Sequence, residues 1–221
     1  STMEIESHLL HCRSPLLALH EKGLVIKSDT ALAKSPLLAN RPLVELNSEQ
    51  SEASRQVIGS AGISNTFLLD GVTGSGKTEV YIEIIRETVK RDKQVLILSP
   101  EIGLTPQLVN RIASSIDEQV VVLHSALSST ERLQAWLDAR NGNAAIIIGT
   151  RSAIWTPLKR PGLIIIDEEH DLSYKQQDGL RYSARDIAVM RGKLSKIPVL
   201  LGSATPSLES LHNVELRKFR L

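Results

Sequence analysis

Gly71-Val72-Thr73-Gly74-Ser75-Gly76-Lys77-Thr78 sets two glycines five residues apart and follows the second with Lys-Thr. That is the spacing of a loop that wraps a phosphate chain. The apolar run Thr66-Phe67-Leu68-Leu69 precedes it, and the helical pattern Glu79-Val80-Tyr81-Ile82-Glu83-Ile84-Ile85 follows. Strand, loop and helix in that order are what the chemistry requires. The glycines let backbone N–H groups turn inward on a phosphate, and the helix N-terminus adds its partial positive charge. In such a loop the Lys77 ammonium reaches the β- and γ-phosphates and the Thr78 hydroxyl ligates Mg²⁺. The segment reads as a nucleoside triphosphate site.

Outward from this loop the chain is regular. Asn47 to about Gly59 reads as a helix, Thr66–Leu69 as a strand and Lys77–Lys90 as a helix. Strands follow at Val95–Leu98, Val120–Leu123, Ala145–Ile148, Leu163–Ile166 and Pro198–Leu201. Helices are expected from Pro106 to about Ile116, from Ser129 to Arg140 and near Ala184–Leu194. Short continuous β-branched runs alternating with helices predict an α/β fold, with a mainly parallel sheet covered by helices on both faces. Ligands of such sheets bind beyond the carboxyl ends of the strands, where every chemical motif of this chain falls.

Residues 1–42 differ. Ser1-Thr2-Met3 reads as an expression scar, Ser14-Pro15 opens a short helix closed by Gly23, and Leu24–Lys27 is a possible strand. Ser28 to Pro42 collects Ser, Asn and Pro without periodicity, as a linker does. The expected division is a small helix/strand fragment with its linker over 1–42, and the phosphate-loop domain over 43–221.

The 221 residues are 42% hydrophobic and 23% charged with a formal net charge of +1, so no global basic field argues for nucleic acid. Any such binding must come from a local patch. The single cysteine, Cys12, excludes an internal disulfide and a multi-cysteine zinc site. No apolar stretch of membrane-spanning length and no signal-peptide pattern appears, which predicts a cytoplasmic protein with no membrane partner.

Asp167-Glu168-Glu169-His170 follows the Leu163–Ile166 run. An acid there can hold Mg²⁺ as the second half of a phosphate site, and Glu168 is placed to orient or deprotonate an attacking water. The alternative is an acidic helix cap. An acid with an adjacent Glu favours hydrolysis over phosphoryl transfer to a small metabolite.

The loop, Asp167–His170 and Gly202-Ser203-Ala204-Thr205-Pro206 together resemble the first motor lobe of a superfamily 2 DNA helicase. Pro100–Gln107, His124-Ser125-Ala126-Leu127, Gly149-Thr150-Arg151-Ser152-Ala153 and Ser173-Tyr174-Lys175-Gln176-Gln177-Asp178-Gly179 are similar to the primosomal helicases that restart replication at abandoned forks. The resemblance covers about residues 43–221 and implies a RecA-like lobe, with 5–42 as the end of a winged-helix domain. It implies binding of ATP with Mg²⁺ held through Thr78 and Asp167, and hydrolysis through Lys77, Asp167, Glu168 and His170. By the same resemblance Gln50 contacts adenine, although Asn47 and Gln50 are also spaced as a capping box. His170 then links the ATP site to the DNA side, or simply sits satisfied at a helix start. Ser203, Ala204 and Thr205 couple hydrolysis to movement, and Thr205-Pro206 doubles as a helix cap and first residue.

On the DNA side, Gly103, Thr105, Gln107, Thr150 and Arg151 can grip a sugar-phosphate backbone without reading sequence, or Thr105 and Thr150 can cap helices. Tyr174, Lys175, Arg181, Tyr182 and Arg185 interleave rings and cations suited to single-stranded DNA. Leu180 stands where the family pattern has a tryptophan. Trp136 is expected in the core, and Trp155 in either setting.

The resemblance further implies 3′-to-5′ translocation on single-stranded DNA, forked DNA as substrate, and primosome and single-strand-binding proteins as partners near the nucleoid. A second motor lobe with zinc-binding cysteines is expected outside these residues, so the fragment alone should lack unwinding activity. An ATP-gated scaffold at stalled forks and another superfamily 2 translocase are the rival readings.

Overall fold

The computed structural model describes residues 45–100 and 106–221. The helix, strand and linker expected before residue 43 lie outside them, as do Gly103 and Thr105.

Helix α1 (Ser48–Gly59) starts from a capping box in which the Asn47 side chain accepts from Gln50 N and the Gln50 side chain accepts from Asn47 N. Strand β1 (Thr66–Asp70) then runs into the phosphate loop, and helix α2 (Lys77–Lys90) begins directly after Gly76. The order continues through β2 (Gln94–Leu98), α3 (Pro106–Ser115), β3 (Val120–Leu123), α4 (Ser129–Asn141), β4 (Ile146–Gly149) and β5 (Pro161–Ile166). After a short antiparallel pair, β6 (Lys175–Gln176) and β7 (Tyr182–Ser183), come α5 (Ala184–Ser195), β8 (Val199–Ser203), α6 (Leu208–Glu215) and β9 (Phe219–Arg220).

Seven strands form one sheet in the order β3-β4-β2-β5-β8-β1-β9, with every neighbouring pair parallel. Alternation along each strand splits the core into two layers. Phe67, Val95, Ile97, Ile146, Ile148 and Ile165 meet Val57 of α1, Ile84 and Ile85 of α2 and Ile112 of α3 on one face. Leu68, Leu96, Leu98, Ile147, Ile164 and Leu201 meet Ala135 and Ala139 of α4 and Ala184 and Ala188 of α5 on the other. Each such apolar side chain contributes about 1.5–3 kcal/mol when fully buried, so the isoleucine runs of β4 and β5 demand cover on both sides. Gln94, the one buried amide side chain among the described residues, is satisfied: Nε2 donates to Ala139 O and Ala144 O, and Oε1 accepts from Arg160 N.

Two elements differ from expectation. Phe219–Arg220, outside every run read as a strand, pairs with Thr66–Phe67 as an edge strand. Its charged flanks carry no apolar run, and Arg220 instead lays its guanidinium over the Phe67 ring. The loop after Asp167–His170 closes into the β6–β7 pair, too short to leave a period in the sequence.

The sheet order decides where chemistry can occur. Adjacent β5, β8 and β1 bring the residues after Ile166, Ser203 and Asp70 together. The ends of β2, β4 and β3 form a separate half of the same edge.

Candidate functional site

The phosphate loop folds as its glycines require. Gly74 and Gly76 have φ of 81° and 83°, the left-handed region open to glycine at no steric cost. A side chain on Gly71 would meet Ser75 Oγ at 2.7 Å, so this end of the loop tolerates no larger residue without movement. Lys77 Nζ donates to Gly71 O at 2.6 Å, which holds the ammonium inside the curve of the loop. Gln50 forms the capping box that its spacing allows and also reaches the phosphate loop. Its oxygen completes the capping box, and its Nε2 donates to Ser75 O of the loop at 2.8 Å.

Asp167 and Glu168 reach this loop from the end of β5. The Glu168 carboxylate lies 4.0 Å from Lys77 Nζ and 3.6 Å from His170 Nδ1. Its φ is 47°, a left-handed conformation that costs a non-glycine residue about 1–3 kcal/mol and clusters at working sites. The four residues form a turn, so the acids do not cap a helix. Burial pushes the Asp167 carboxyl above its ordinary value, offset in part by a hydrogen bond from Tyr81, while Glu168 adds to the rise and Lys77 opposes it. Tyr81 Oη donates to Asp167 Oδ1 at 3.0 Å and Tyr174 Oη donates to Asp167 O at 2.6 Å. Two buried phenols, their own pKa values raised first by burial and then by Asp167, therefore fix the acid as dedicated donors.

Gly202 makes room for this arrangement: a Cβ there would overlap the Tyr81 hydroxyl. Gly202→Ala is expected to destabilise the chain by about 1–3 kcal/mol. Adding Tyr81→Phe should recover part of that loss, because it removes the overlapped atom. A thermal double-mutant cycle reads this coupling.

Glu169 and His170 tie the acids to the segment after β8. Glu169 is 2% exposed. Its carboxylate accepts from Arg185 Nη1 (2.8 Å), Ser207 N (2.7 Å), Ser207 Oγ (3.0 Å) and Ser210 Oγ (2.8 Å). Burial alone pushes the Glu169 carboxyl up, but these donors outweigh it and hold the pKa below the ordinary glutamate value. His170 Nδ1 lies 2.7 Å from Ser203 Oγ, which also accepts from Thr205 N at 3.0 Å. The cap of α6 is Ser207 and not Thr205, since Ser207 Oγ accepts from Ser210 N while Glu169 pins it.

The residues expected to face DNA divide. Arg181 and Lys175 are exposed, and Tyr182 is half-buried. Tyr174 is 2% exposed and Arg185 is paired with Glu169, so neither presents a free ring face or cation; both serve the interior instead. Arg151 Nη1 donates to Ser173 O and Lys175 O, fastening the 3-10 turn Arg151–Trp155 to the β6–β7 pair. Thr150 is buried and its side chain makes no cap bond. Gln107 lies in the first turn of α3. Trp136, expected in the core, is only half-buried.

Sequence reasoning missed Tyr81, Gly202 as its complement, and the Glu169–Ser207–Ser210 cluster. A tyrosine among the buried valines and isoleucines of α2 was a usable signal, because a buried hydroxyl needs a partner.

The DEAD/DEAH box helicase family profile matches residues 47–214. The replication restart protein PriA of Haemophilus influenzae is 49% identical over 214 residues, covering 92% of this chain and 29% of that protein. PriA of Synechocystis is 46% identical over 205 residues, 91% of this chain and 24% of the relative. This chain thus spans less than a third of the length of either relative. Among solved structures, RecG bound to a three-way DNA junction aligns with a TM-score of 0.55 and 23% identity over 91% of this chain and 24% of that one. The UvsW helicase of bacteriophage T4 aligns with a TM-score of 0.54 and 15% identity over 80% of this chain and 59% of that one. Both share the RecA-like lobe seen here. With three-quarters of its residues under one profile and its loop, acid and Ser203 segments on adjacent strand ends, the chain belongs to the DEAD/DEAH box helicase family.

Proposed function

We propose that this chain is the ATP-binding lobe of a replication-restart DNA helicase, whose full-length form hydrolyses ATP to move 3′-to-5′ along single-stranded DNA and open forks. The observation that carries the reading is the meeting of Lys77, Glu168, His170 and Ser203 across three adjacent strand ends. The high identity to PriA over nearly the whole chain supports the replication-restart assignment.

The residues suit a magnesium-bound triphosphate. Open space surrounds the Cβ position of Gly74, the ammonium of Lys77 sits within the loop, and the half-buried Asp167 carboxyl is a group that a nearby cation would favour in its charged form. Among the described residues no group of three or more His, Cys, Asp or Glu could hold a metal alone. Mg²⁺ needs no such cage, since one or two protein oxygens with phosphates and waters complete its shell. Thr78 and Asp167 would supply those oxygens, and the ion would neutralise charge on the β- and γ-phosphates.

In this reading Lys77 leaves Gly71 O for the phosphates, and Gln50 keeps one hand on the loop while its position favours adenine contact. Glu168 orients the attacking water and takes its proton. His170 reports the state of Glu168 to Ser203 through the short Nδ1–Oγ contact, and Glu169 makes the acid turn and α6 move as one body. DNA contact falls to Thr150 and Arg151 on the other half of the edge and to Lys175, Arg181 and Tyr182 of the β6–β7 segment that Arg151 fastens beside it, with primosome and single-strand-binding proteins as partners.

The test is ATP turnover by the full-length protein with and without single-stranded DNA. Turnover is expected to rise on DNA addition and to disappear in Lys77→Ala. DNA-independent turnover, or an active Lys77→Ala, contradicts the reading.

A further inference from the structure

Past the ends of β3 and β4, His124, Arg132, Trp136, Ser152 and Trp155 line a cavity of about 350 Å³. Both tryptophans of the chain open onto it. Trp155 is 54% exposed and is braced edge-on by Tyr182, with ring centroids 5.3 Å apart at 68°. Trp136 carries the Arg140 guanidinium over its ring at 5.4 Å. Arg132 is held at the rim by donating to Ser125 O and Leu127 O at 3.2 and 3.4 Å. Among the described residues no carboxylate lines the cavity.

One exposed aromatic requires no explanation. Two tryptophans on one cavity, rimmed by arginine and histidine and free of acids, are the chemistry that stacks a nucleobase beside a phosphate. The volume is at the low end of the roughly 300–1,000 Å³ typical of small-ligand sites, enough for a base with its sugar. Ser125 and Ser152 are shared with a second cleft of about 370 Å³, lined also by Pro100, Thr150, Arg151 and Asp171. The Asp171 carboxylate there already accepts from Ser173 N. The two spaces make one groove across the ends of β2, β4 and β3.

We propose that the Trp136–Trp155 cavity docks an unpaired base of single-stranded DNA, while the adjoining cleft past Thr150 and Arg151 carries the sugar-phosphate backbone. The proposal rests on the reading of the chain as part of a DNA motor. It adds a stacking site outside the Tyr174–Arg185 segment, where burial has removed Tyr174 as a platform. Stacking of this kind is tolerant of base identity, as a motor moving through any sequence requires.

Because both tryptophans of this chain line the cavity, the part of the full-length protein's fluorescence response that is lost on replacing them reports on it. A single-stranded oligodeoxythymidylate is expected to quench the emission saturably, whereas an abasic strand of equal length binds without comparable quenching. Trp155→Leu and Trp136→Leu are each expected to weaken binding of a labelled thymidylate strand at least about fivefold, equivalent to ~1 kcal/mol. Trp155→Phe, which keeps a ring, should lose less. Trp155 is exposed, so its variants should fold, which circular dichroism checks. If the labelled strand binds but emission and variant affinities stay unchanged, the base site is overturned and DNA binding by this lobe stands; a cavity serving a protein partner gives this result. Equal quenching by the abasic strand also overturns it. Failure of the labelled strand to bind at all overturns both.

Discussion

Glu168→Gln is expected to lower kcat for ATP hydrolysis by the full-length protein about 10²–10⁴-fold, the usual contribution of a positioned general base. Nucleotide binding should survive, because Lys77 and the loop amides are untouched. Folding should survive as well. The Glu168 side chain is 38% exposed, and Lys77 Nζ and His170 Nδ1 stand 4.0 and 3.6 Å away, too loose to carry much stability in water. The positive φ reinforces the point. The backbone holds this residue in a conformation that local preference opposes, so the surrounding strand ends, and not the glutamate, determine the turn. Steady-state kinetics beside thermal denaturation separate the two effects: activity falls and the melting temperature holds.

The neighbouring residue should behave in the opposite way. Glu169→Ala removes the acceptor for Arg185, Ser207 and Ser210 from a site that water barely reaches. Breaking a buried pair by deleting one partner costs about 3–5 kcal/mol, which at this chain length lowers the melting temperature by about 6–20 °C. The pH dependence has a definite sign. The folded pKa of Glu169 is depressed, so its stabilisation is fully present above the unfolded value and is lost as the pH falls through the folded one. Glu169→Gln should therefore be less stable at neutral pH and should lose less on acidification than the parent chain. Calorimetry from neutral pH downward measures this, and an equal acid response in both proteins would show that the carboxylate is not the linked group.

The contrast between these two glutamates shows how far the sequence could be read. The fold was legible because apolar runs such as Ile146–Ile148 and Leu163–Ile166 admit only a doubly covered parallel sheet, and because Gly71–Thr78 fixes one strand–helix junction. Strand order was not legible, since it depends on which runs lie side by side; that order brings Glu168 within 4.0 Å of Lys77. The motif Asp167–His170 singles out Glu168 as the expected base but carries no role for Glu169. Their roles follow from the strained turn, which turns Glu168 towards the loop and Glu169 into the interior. The Tyr174–Arg185 segment is assigned to a DNA face by its alternation of rings and cations and by resemblance, neither of which tells a buried side chain from an exposed one. The partners that claim Tyr174 and Arg185, Asp167 O and the Glu169 carboxylate, come from distant positions in the chain. Trp136 illustrates the reverse case. A helical position suggested the core, yet α4 turns this ring towards Arg140 and the open groove.

In the proposed function the acid turn at the end of β5 converts ATP hydrolysis into movement on DNA. That conversion is tested most directly by strand separation on a fork bearing a 3′ single-stranded arm, using the full-length protein and its Glu168→Gln variant at equal DNA occupancy. ATP-dependent opening by the parent and none by the variant are expected, with both proteins bound to the fork. Opening by the variant at the parental rate would contradict that role.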